Sequence, residues 1–186
     1  MWDLFGTYGL PESLLCDNGP AFRAGAGRLP STLAVRLMRL GVALTNGRPY
    51  HPQTQGKVER FHGTLQRELG PALRQPTREE AARVYASFRN RYNWERPHEA
   101  ISLRMPGAIY APSPRKRPDR LPEHELPAGA VSRKVDEYGN CGFKARRFKV
   151  GRGFAGQRVE LREQEDGVFA VFYVGRLIGP LDAFEV

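Results

Sequence analysis

The sequence predicts an α/β region of short strands and amphipathic helices, followed by a small all-β domain of five or six strands. Two short apolar runs alternate with helical stripes in the first part of the chain. Five of the 15 prolines fall between Pro112 and Pro127, in a stretch with little apolar content. After Ala130, short alternating runs are separated by glycines, which is typical of small sandwiches and barrels. The predicted parts are an α/β region, an extended linker and a β domain, at residues 1–111, 112–129 and 130–186.

The first half of the α/β region is predicted to contain two helices and two strands. Met1 to Tyr8 has an apolar face and precedes a glycine, which predicts the last turns of a helix. Short apolar runs predict strands at Ser13–Cys16 and Val42–Thr45. Between them, Ser31 is placed to cap a helix that extends to about Leu40.

Two longer helices are predicted next. The stretch Thr54 to Leu69 carries an apolar stripe with helical spacing, formed by Val58, Phe61, Leu65 and Leu69. Thr77 and Glu80 match a capping box, which predicts a second helix from there to about Trp94. The side chains expected to face inward from this helix are Ala81, Val84, Tyr85, Phe88 and Tyr92, and Trp94 at its end is expected to pack in the core.

The charge of the chain favours a polyanionic partner. The formal net charge is +9 and the sequence pI is about 10.0, so DNA or RNA is the simplest candidate. Arginine outnumbers lysine, however, and a GC-rich genome raises arginine content without any functional demand.

Cysteine usage and the N-terminus exclude several classes. Cys16 and Cys141 are far apart, and neither belongs to a Cys-x-x-Cys pair, which argues against a zinc knuckle or a thioredoxin-like motif. Free thiols in a reducing cytoplasm are expected. The N-terminus lacks the regions of a signal peptide, and no apolar run has membrane-spanning length, so no membrane partner is expected.

Two carboxylates stand out because they lie on predicted regular elements among cations. Asp17 directly follows the first strand, and ligands of open α/β sheets collect at that edge. Glu59 lies beside the apolar stripe of its helix, between Lys57 and Arg60. Carboxylate oxygens are the ligands that magnesium prefers. Each residue also has a simpler explanation, since Asp-Asn-Gly favours a turn and surface glutamates are common on helices.

Four motifs stand out, namely Gly9-Leu10-Pro11 before Leu15-Cys16-Asp17-Asn18-Gly19, the run from Arg48 to Arg60 (RPYHPQTQGKVER), Tyr92 to His98 (YNWERPH), and Pro106 to Tyr110. They resemble motifs of bacterial insertion-sequence transposases, within the superfamily of DDE transposases and retroviral-type integrases. The resemblance extends from Leu10 to Tyr110. It implies an incomplete RNase H-like core, containing the last two strands and the helices after them, followed by a barrel-like β domain.

The resemblance also implies a chemistry. Asp17 and Glu59 would be the family's second and third acidic residues, which bind Mg²⁺ (or Mn²⁺) and catalyse phosphodiester cleavage and strand transfer in DNA integration and transposition. The family's first Asp lies on an upstream strand, and only 16 residues precede Asp17 here. Asp3 lies on a predicted helix and does not replace it. We therefore expect an N-terminally truncated core that is inactive alone.

Contacts with DNA are expected from eight cations, namely Arg48, Lys57, Arg60, Arg67, Lys144, Arg146, Arg147 and Lys149. In the β domain, strand alternation predicts Lys144, Arg146 and Phe148 on one face, with Arg147 and Lys149 on the other. Three further residues are expected to support the metal ligands by hydrogen bonds, namely Asn18, His51 and His62. The expected partners are the element's DNA ends, target DNA, and further copies or a full-length transposase. The expected location is the bacterial cytoplasm, on chromosomal or plasmid DNA.

Two other functions remain open at this point. The chain could be a non-enzymatic module that binds DNA or assembles with a full-length transposase. It could also belong to a different RNase H-like nuclease, such as a junction resolvase, although the His51-to-Arg60 run and the β domain argue against this. The sequence therefore leaves open whether the isolated chain is an enzyme.

Overall fold

The computed structural model describes residues 1–17, 19–22, 29–47, 56–70 and 77–184. The chain forms two compact units. One, which we call the discontinuous unit, contains Met1–Pro49 and Ser113–Val186, and the other, the helical unit, contains Tyr50–Pro112. In this division the first elements of the chain group with the β domain. The boundaries at residues 1–111, 112–129 and 130–186 stay a prediction.

The N-terminal part of the discontinuous unit contains the two predicted helices and the two predicted strands, as α1 (Trp2–Tyr8), β1 (Ser13–Cys16), α2 (Thr32–Arg39) and β2 (Ala43–Asn46). Strands β1 and β2 pair in parallel. The Ser31 hydroxyl oxygen accepts the amide N–H of Ala34 at 3.1 Å, which confirms the predicted cap of α2.

The β domain contains six strands, which agrees with the expected five or six: β3 (Ser132–Lys134), β4 (Asn140–Phe143), β5 (Arg146–Lys149), β6 (Arg158–Glu165), β7 (Val168–Tyr173) and β8 (Arg176–Pro180). Strands β3, β6, β7 and β8 form an antiparallel sheet in that order, and β4 and β5 form a separate hairpin. In the described part of the β domain the strand pairing therefore gives two sheets, and the predicted barrel closure stays a prediction.

Helix α2 belongs to two hydrophobic cores, because it buries side chains on different sides. One side contributes to the N-terminal core, made of Phe5, Leu10, Leu37, Leu40 and Val42. The other side contributes to the β-domain core, where Val35 and Met38 join Phe148, Phe154, Tyr173 and other buried residues. The β domain is therefore packed directly on a helix that lies about 100 residues earlier in the chain.

The proline-rich segment 112–129 has no helix or strand within the described range 77–184. Residues 113–122 of this segment lie along the N-terminal part, and we call them the strap. The guanidinium of Arg115 donates to three carbonyl oxygens at 2.8–3.1 Å, those of Pro11, Leu40 and Gly41. Farther along, Arg39 Nε donates to the carbonyl oxygen of Pro122 at 2.6 Å. The segment is extended but packed, so it is not a linker free of contacts.

The helical unit contains α3 (Gly56–Leu69), α4 (Arg78–Trp94) and α5 (Pro106–Ile109). Thr77 and Glu80 form both hydrogen bonds of the capping box, as predicted. The Phe61 ring of α3 lies 5.1 Å from the Tyr92 ring and 6.0 Å from the Phe88 ring, which joins α3 to α4. Of the helices in the described part of the chain, none is long and apolar enough to cross a membrane.

The prediction of the inward face of α4 is wrong at two aromatic residues. Tyr85 is 46% exposed and Trp94 is 58% exposed. The ring contacts with α3 involve only Phe88 and Tyr92, one helical turn apart. Tyr85 therefore stays largely in solvent, even though its spacing suits a buried face. In α3, Val58 is also exposed, at 52%, although it was predicted to belong to the buried stripe.

Candidate metal and nucleic-acid site

Asp17 lies at the carboxyl edge of the parallel β1–β2 pair, one residue after β1 ends. Its side chain is exposed, and Oδ1 accepts the amide N–H of Gly19 at 2.9 Å. The backbone carbonyl oxygen of Asp17 accepts a hydrogen bond of 2.7 Å from Nδ2 of Asn46, the last residue of β2. The predicted turn and the predicted position at a strand end are therefore both present. The second carboxylate oxygen has no partner among the described residues, so it is available to a ligand.

The neighbouring thiol is a weaker metal ligand than an ordinary cysteine. Burial, and to a smaller extent the charge of Asp17, raise the pKa of Cys16. The thiol is therefore protonated at neutral pH, whereas metals bind the thiolate. Both Cys16 and Cys141 are free thiols, as the sequence predicts. A hard cation at this edge would have to rely on oxygen ligands.

Glu59 lies in the first turn of α3. Its carboxylate is exposed and forms no ion pair with any described residue. A helix N-terminus stabilises a carboxylate by itself, so the position alone does not require a ligand. Lys57 and Arg60 are also exposed. Arg60 and Arg67 are two helical turns apart, so they project from the same side of α3 and form a row of two cations.

His62 was predicted to support the metal ligands. It is exposed, and its ring lies 6.0 Å from the ring of Phe61. This ring contact locates the His62 side chain on α3 but does not show it supporting a metal ligand, so that role stays a prediction. His98 packs edge-on against Tyr92 at 4.8 Å, and its Nε2 is buried without a hydrogen-bond partner in the described structure.

The two carboxylates belong to different compact units, Asp17 to the discontinuous unit and Glu59 to the helical unit. Their pairing in one metal site stays a prediction. Three of the predicted site residues, Asn18, Arg48 and His51, lie outside the described residues. Within the described ranges, no group of three or more His, Cys, Asp or Glu side chains is placed to hold a metal ion. Asp17 and Glu59 offer exposed carboxylate oxygens, and such oxygens suit Mg²⁺ or Mn²⁺.

The basic cluster of the β domain is divided differently from the prediction. Lys144 lies in the two-residue turn between β4 and β5 and not on a strand face. Arg147 NH2 lies 3.0 Å from Asp136 Oδ2, and Arg146 NH1 lies 3.9 Å from Asp182 Oδ1. These two cations are therefore partly neutralised by carboxylates. Lys149, which is exposed, has no acidic partner among the described residues.

Asp136 is a fixed anion beside this cluster. Hydrogen bonds lower its pKa, first from the backbone N–H of Asn140, then from the Asn140 side chain, Arg147 and the backbone N–H of Tyr138. Asp136 is therefore ionised throughout the neutral range. It organises the turn that precedes β4 and also holds the Arg147 guanidinium.

Two cations that the sequence reasoning did not select, Arg133 and Lys134, lie on β3 and face the β4–β5 hairpin across a cleft. Neither forms an ion pair with a described carboxylate. Their basic character is visible in the run Arg133-Lys134. The sequence does not reveal their proximity to Lys144, because that proximity depends on how β3 packs against the hairpin.

A second cavity, of about 390 Å³, lies where the end of the proline-rich segment meets the β sheet. His124 is one of the residues that line it. The His124 ring lies 4.6 Å from that of Tyr173, and its Nε2 is buried without a hydrogen-bond partner in the described structure. Burial lowers the pKa of His124, the Arg39 charge lowers it further, and the Glu160 charge partly offsets both. The other charged groups lining this cavity are Glu123, Glu125 and Arg162.

We expect the stability of the discontinuous unit to fall on mild acidification because of His124. Its folded-state pKa lies below the ordinary value of about 6.5, so the unfolded chain takes up the proton first as the pH falls. The free energy of unfolding should therefore decrease below about pH 6.5 and level off once the folded-state pKa is passed. Urea denaturation at pH 7.5 and 5.5 measures this change in the free energy of unfolding.

His124→Gln should reduce the difference in the free energy of unfolding between the two pH values, and the exposed-site control His62→Gln should not. An undiminished pH dependence in His124→Gln would contradict the assignment.

Comparisons with known proteins add two matches. Residues 40–106 match the family described as "Integrase core domain", and residues 130–185 match "IS481 family transposase, C-terminal domain". The first range includes Glu59, and the second covers the β domain.

Two curated relatives are viral. The chain is 41% identical over 83 residues to the Pol polyprotein of Ovine maedi visna related virus (strain South Africa), which covers 44% of this chain and 6% of that protein. It is 47% identical over 66 residues to the Pol polyprotein of Caprine arthritis encephalitis virus (strain Cork), covering 36% and 5%. The similarity therefore concerns a small part of each relative.

Proposed function

We propose, from the insertion-sequence transposase and integrase origin that both matched domains support, that this chain handles DNA in integration or transposition. Its specific role would be that of a DDE-type core segment with an RNase H-like arrangement and a DNA-gripping β domain. The observation that carries this proposal is Glu59. It is an exposed carboxylate without an ion-pair partner in the described structure, among cations of α3, inside the range that matches the integrase core.

Asp17 and Glu59 would together hold Mg²⁺ or Mn²⁺. The Gly19 N–H fixes one carboxylate oxygen of Asp17, and Asn46 holds its backbone, so the remaining oxygen would meet a cation with little loss of conformational freedom. When bound, such a cation supplies Lewis acidity toward a phosphodiester and activates water. The full activity of this kind of site would be phosphodiester cleavage and strand transfer.

The isolated 186-residue chain is proposed to be inactive. Two carboxylates can hold one hydrated cation loosely, whereas a site for two cations usually needs a further carboxylate that bridges them. Among the described residues, no group of three or more His, Cys, Asp or Glu side chains is placed to hold a metal ion. Turnover would therefore require a partner, either further copies or a full-length transposase. The setting would be bacterial chromosomal or plasmid DNA in the cytoplasm.

DNA contact is the part of the proposal that does not depend on the metal. Lys57, Arg60 and Arg67 are exposed on α3 and form no ion pair with described residues. Each can neutralise a backbone phosphate and release counterions, so the affinity for DNA would fall steeply with salt concentration. Arg48 is proposed to contribute a phosphate contact in the same way.

The experiment that tests the proposed site measures Mn²⁺ binding by electron paramagnetic resonance of the free ion. Asp17→Asn and Glu59→Gln should each weaken binding about tenfold, and the double variant should be little weaker than either single one. That non-additivity is expected only if both carboxylates share one ion. Glu12→Gln, which removes an exposed carboxylate just before β1, is the matched control and should bind Mn²⁺ normally.

A parallel assay separates the proposed enzyme segment from the alternative module. With Mg²⁺ and a nicked or blunt duplex, the wild-type chain should bind DNA but neither nick nor join it. Strand transfer by this polypeptide alone would refute the account of the incomplete site. Independent, additive effects of Asp17→Asn and Glu59→Gln on Mn²⁺ binding, with DNA binding intact, would favour the non-enzymatic DNA-binding or assembly module.

A further inference from the structure

Asn46 joins the two ends of the segment that carries Asp17. Its Nδ2 donates to the backbone carbonyl oxygen of Asp17 and to that of Phe22, each at 2.7 Å. An amide nitrogen carries two N–H donors, so one side chain satisfies both carbonyl groups. The structure describes Asp17 and Gly19–Phe22 of this segment, and we call these residues the Asp17 loop. The loop is therefore closed by a single side chain from β2.

The position of Asn46 follows from the pairing of β1 with β2. Asn46 is the last residue of β2 and lies directly opposite Cys16, the residue before Asp17. Alternate residues of a strand share a face, so Asn46 lies on the same face as Leu44, which packs against the N-terminal core. Asn46 is half-buried at the end of this face. The Asp17 loop is thus attached to the neighbouring strand as well as to its own.

The Asp17 loop also holds the carboxylate from within. The Gly19 N–H donates to Asp17 Oδ1, and the Phe22 N–H donates to the Gly19 carbonyl oxygen, both at 2.9 Å. A Cβ at position 19 would lie only 2.9 Å from Asp17 Oδ1, so glycine allows this close approach. With the two bonds from Asn46, these bonds form a closed cycle. The cycle ties one exposed carboxylate to the end of β2.

The bonds from Asn46 do more than a turn requires. An Asp side chain that accepts from the amide two residues later forms a common turn without outside help. Asn46 adds a constraint on the backbone of Asp17 itself, so β2 also sets the direction in which the Asp17 side chain leaves the backbone. A ligand whose direction is set before binding loses less conformational freedom when it meets a cation. The support from β2 therefore bears on metal affinity as well as on the turn.

We infer that Asn46 is a positioning residue for Asp17, and that its two hydrogen bonds set the direction in which the exposed carboxylate meets a divalent cation. The inference rests on the proposed function, in which Asp17 is a ligand of Mg²⁺ or Mn²⁺. It assigns the support of that ligand to the end of β2, at a residue outside the set predicted from the sequence. Asn46 acts through Asp17, so its effect on metal affinity should vanish when the Asp17 carboxylate is absent.

The test is a double-mutant cycle in the full chain, with Mn²⁺ binding measured by electron paramagnetic resonance. Asn46→Leu keeps the approximate size of the side chain and removes both donors. It should weaken Mn²⁺ binding about fourfold, whereas Asp17→Asn should weaken it about tenfold. In the Asp17→Asn background, Asn46→Leu should change the affinity by less than about 1.5-fold. Asn46→Gln, which keeps the amide on a longer side chain, should recover part of the affinity that Asn46→Leu loses.

A stability control separates positioning from folding. Val42→Ala removes two methyl groups from the N-terminal core, where Val42 is fully buried, and leaves the residues of the hydrogen-bond cycle unchanged. It should lower the urea midpoint at least as much as Asn46→Leu does. Its Mn²⁺ affinity should nevertheless stay within about 1.5-fold of the wild-type value, because the fold is intact without denaturant.

Amide hydrogen exchange gives a readout that needs no metal. The Gly19 and Phe22 N–H groups belong to the hydrogen-bond cycle, and both should exchange about fivefold faster in Asn46→Leu. The Ala43 N–H donates to the Glu12 carbonyl oxygen in the β1–β2 pair and is the internal control. Its exchange rate should not change, because the strand pairing does not depend on the Asn46 side chain.

The outcomes distinguish this inference from the proposed function. If the wild-type chain does not bind Mn²⁺, or Asp17→Asn binds it normally, the proposed metal site fails and the inference fails with it. If Asp17→Asn weakens binding but Asn46→Leu does not, the positioning role alone is wrong. The positioning role is also wrong if Asn46→Leu has the same effect with and without the Asp17 carboxylate, or if Val42→Ala weakens Mn²⁺ binding as much as Asn46→Leu.

Discussion

Replacing Gly153 with alanine is expected to destabilise the discontinuous unit by about 2–4 kcal/mol and to loosen the β domain from α2. An added Cβ at Gly153 would collide with the carbonyl oxygen of Pro30 and approach the carbonyl carbon of Ser31 to 2.8 Å. These atoms form the backbone just before α2. They cannot move aside as a flexible side chain would, because Ser31 caps the helix.

The control for this substitution is Gly142→Ala in β4. A Cβ there meets nothing closer than the Arg146 carbonyl oxygen at 3.9 Å, and its effect on stability should be within about 0.5 kcal/mol. Urea denaturation followed by circular dichroism measures both variants. Equal stability of Gly153→Ala and Gly142→Ala would contradict the packing of the β domain on the start of α2.

The substitution Arg115→Ala is expected to cost about 2–4 kcal/mol and to release the strap, because one guanidinium satisfies three carbonyl oxygens. Loss of Arg115 leaves the carbonyl groups of Pro11, Leu40 and Gly41 to find water in a partly buried setting. Arg115→Lys should recover only part of this loss, because a single ammonium does not reproduce the planar fork of donors.

The matched control on the same strap is Arg117→Ala. Arg117 lies 4.8 Å from the Trp2 ring and is not hydrogen-bonded to carbonyl groups in the described structure, so its loss should cost less than about 1 kcal/mol. Denaturant midpoints give the stabilities, and limited proteolysis reports cleavage within 113–129. If Arg115→Ala is as stable and as protease-resistant as Arg117→Ala, the strap does not hold the unit together.

These two predictions concern a packing arrangement that the sequence does not reveal. The prolines of 112–129 correctly predict an extended segment, because proline fixes φ and removes a hydrogen-bond donor. They do not show that the segment lies against α1, the residues just after it, and the end of α2. That depends on Arg39 and Arg115 reaching main-chain carbonyl groups 74 to 104 residues away in sequence. No local pattern encodes such contacts.

The apolar stripes of α3 and α4 also show which features the sequence predicts and which it does not. Phe61, Phe88 and Tyr92 were predicted to be inside and do meet, because their spacing places them on facing stripes. Tyr85 shares that spacing but is exposed. Apolar periodicity indicates which side of a helix can be buried, whereas the length of the contact with its neighbour decides how much of that side is covered.

The sequence by itself determined the element types, the caps at Ser31 and Thr77, and the strand end at Asp17, because these follow from interactions within a few residues. Its motifs also determined the family resemblance, which the two matched domains support. Only the tertiary structure decided that α2 serves two cores and that Arg133, Lys134 and Lys144 line one cleft. The physical reason is that both depend on which distant surfaces bury apolar area together, and that choice is made by the whole chain and not by any local segment.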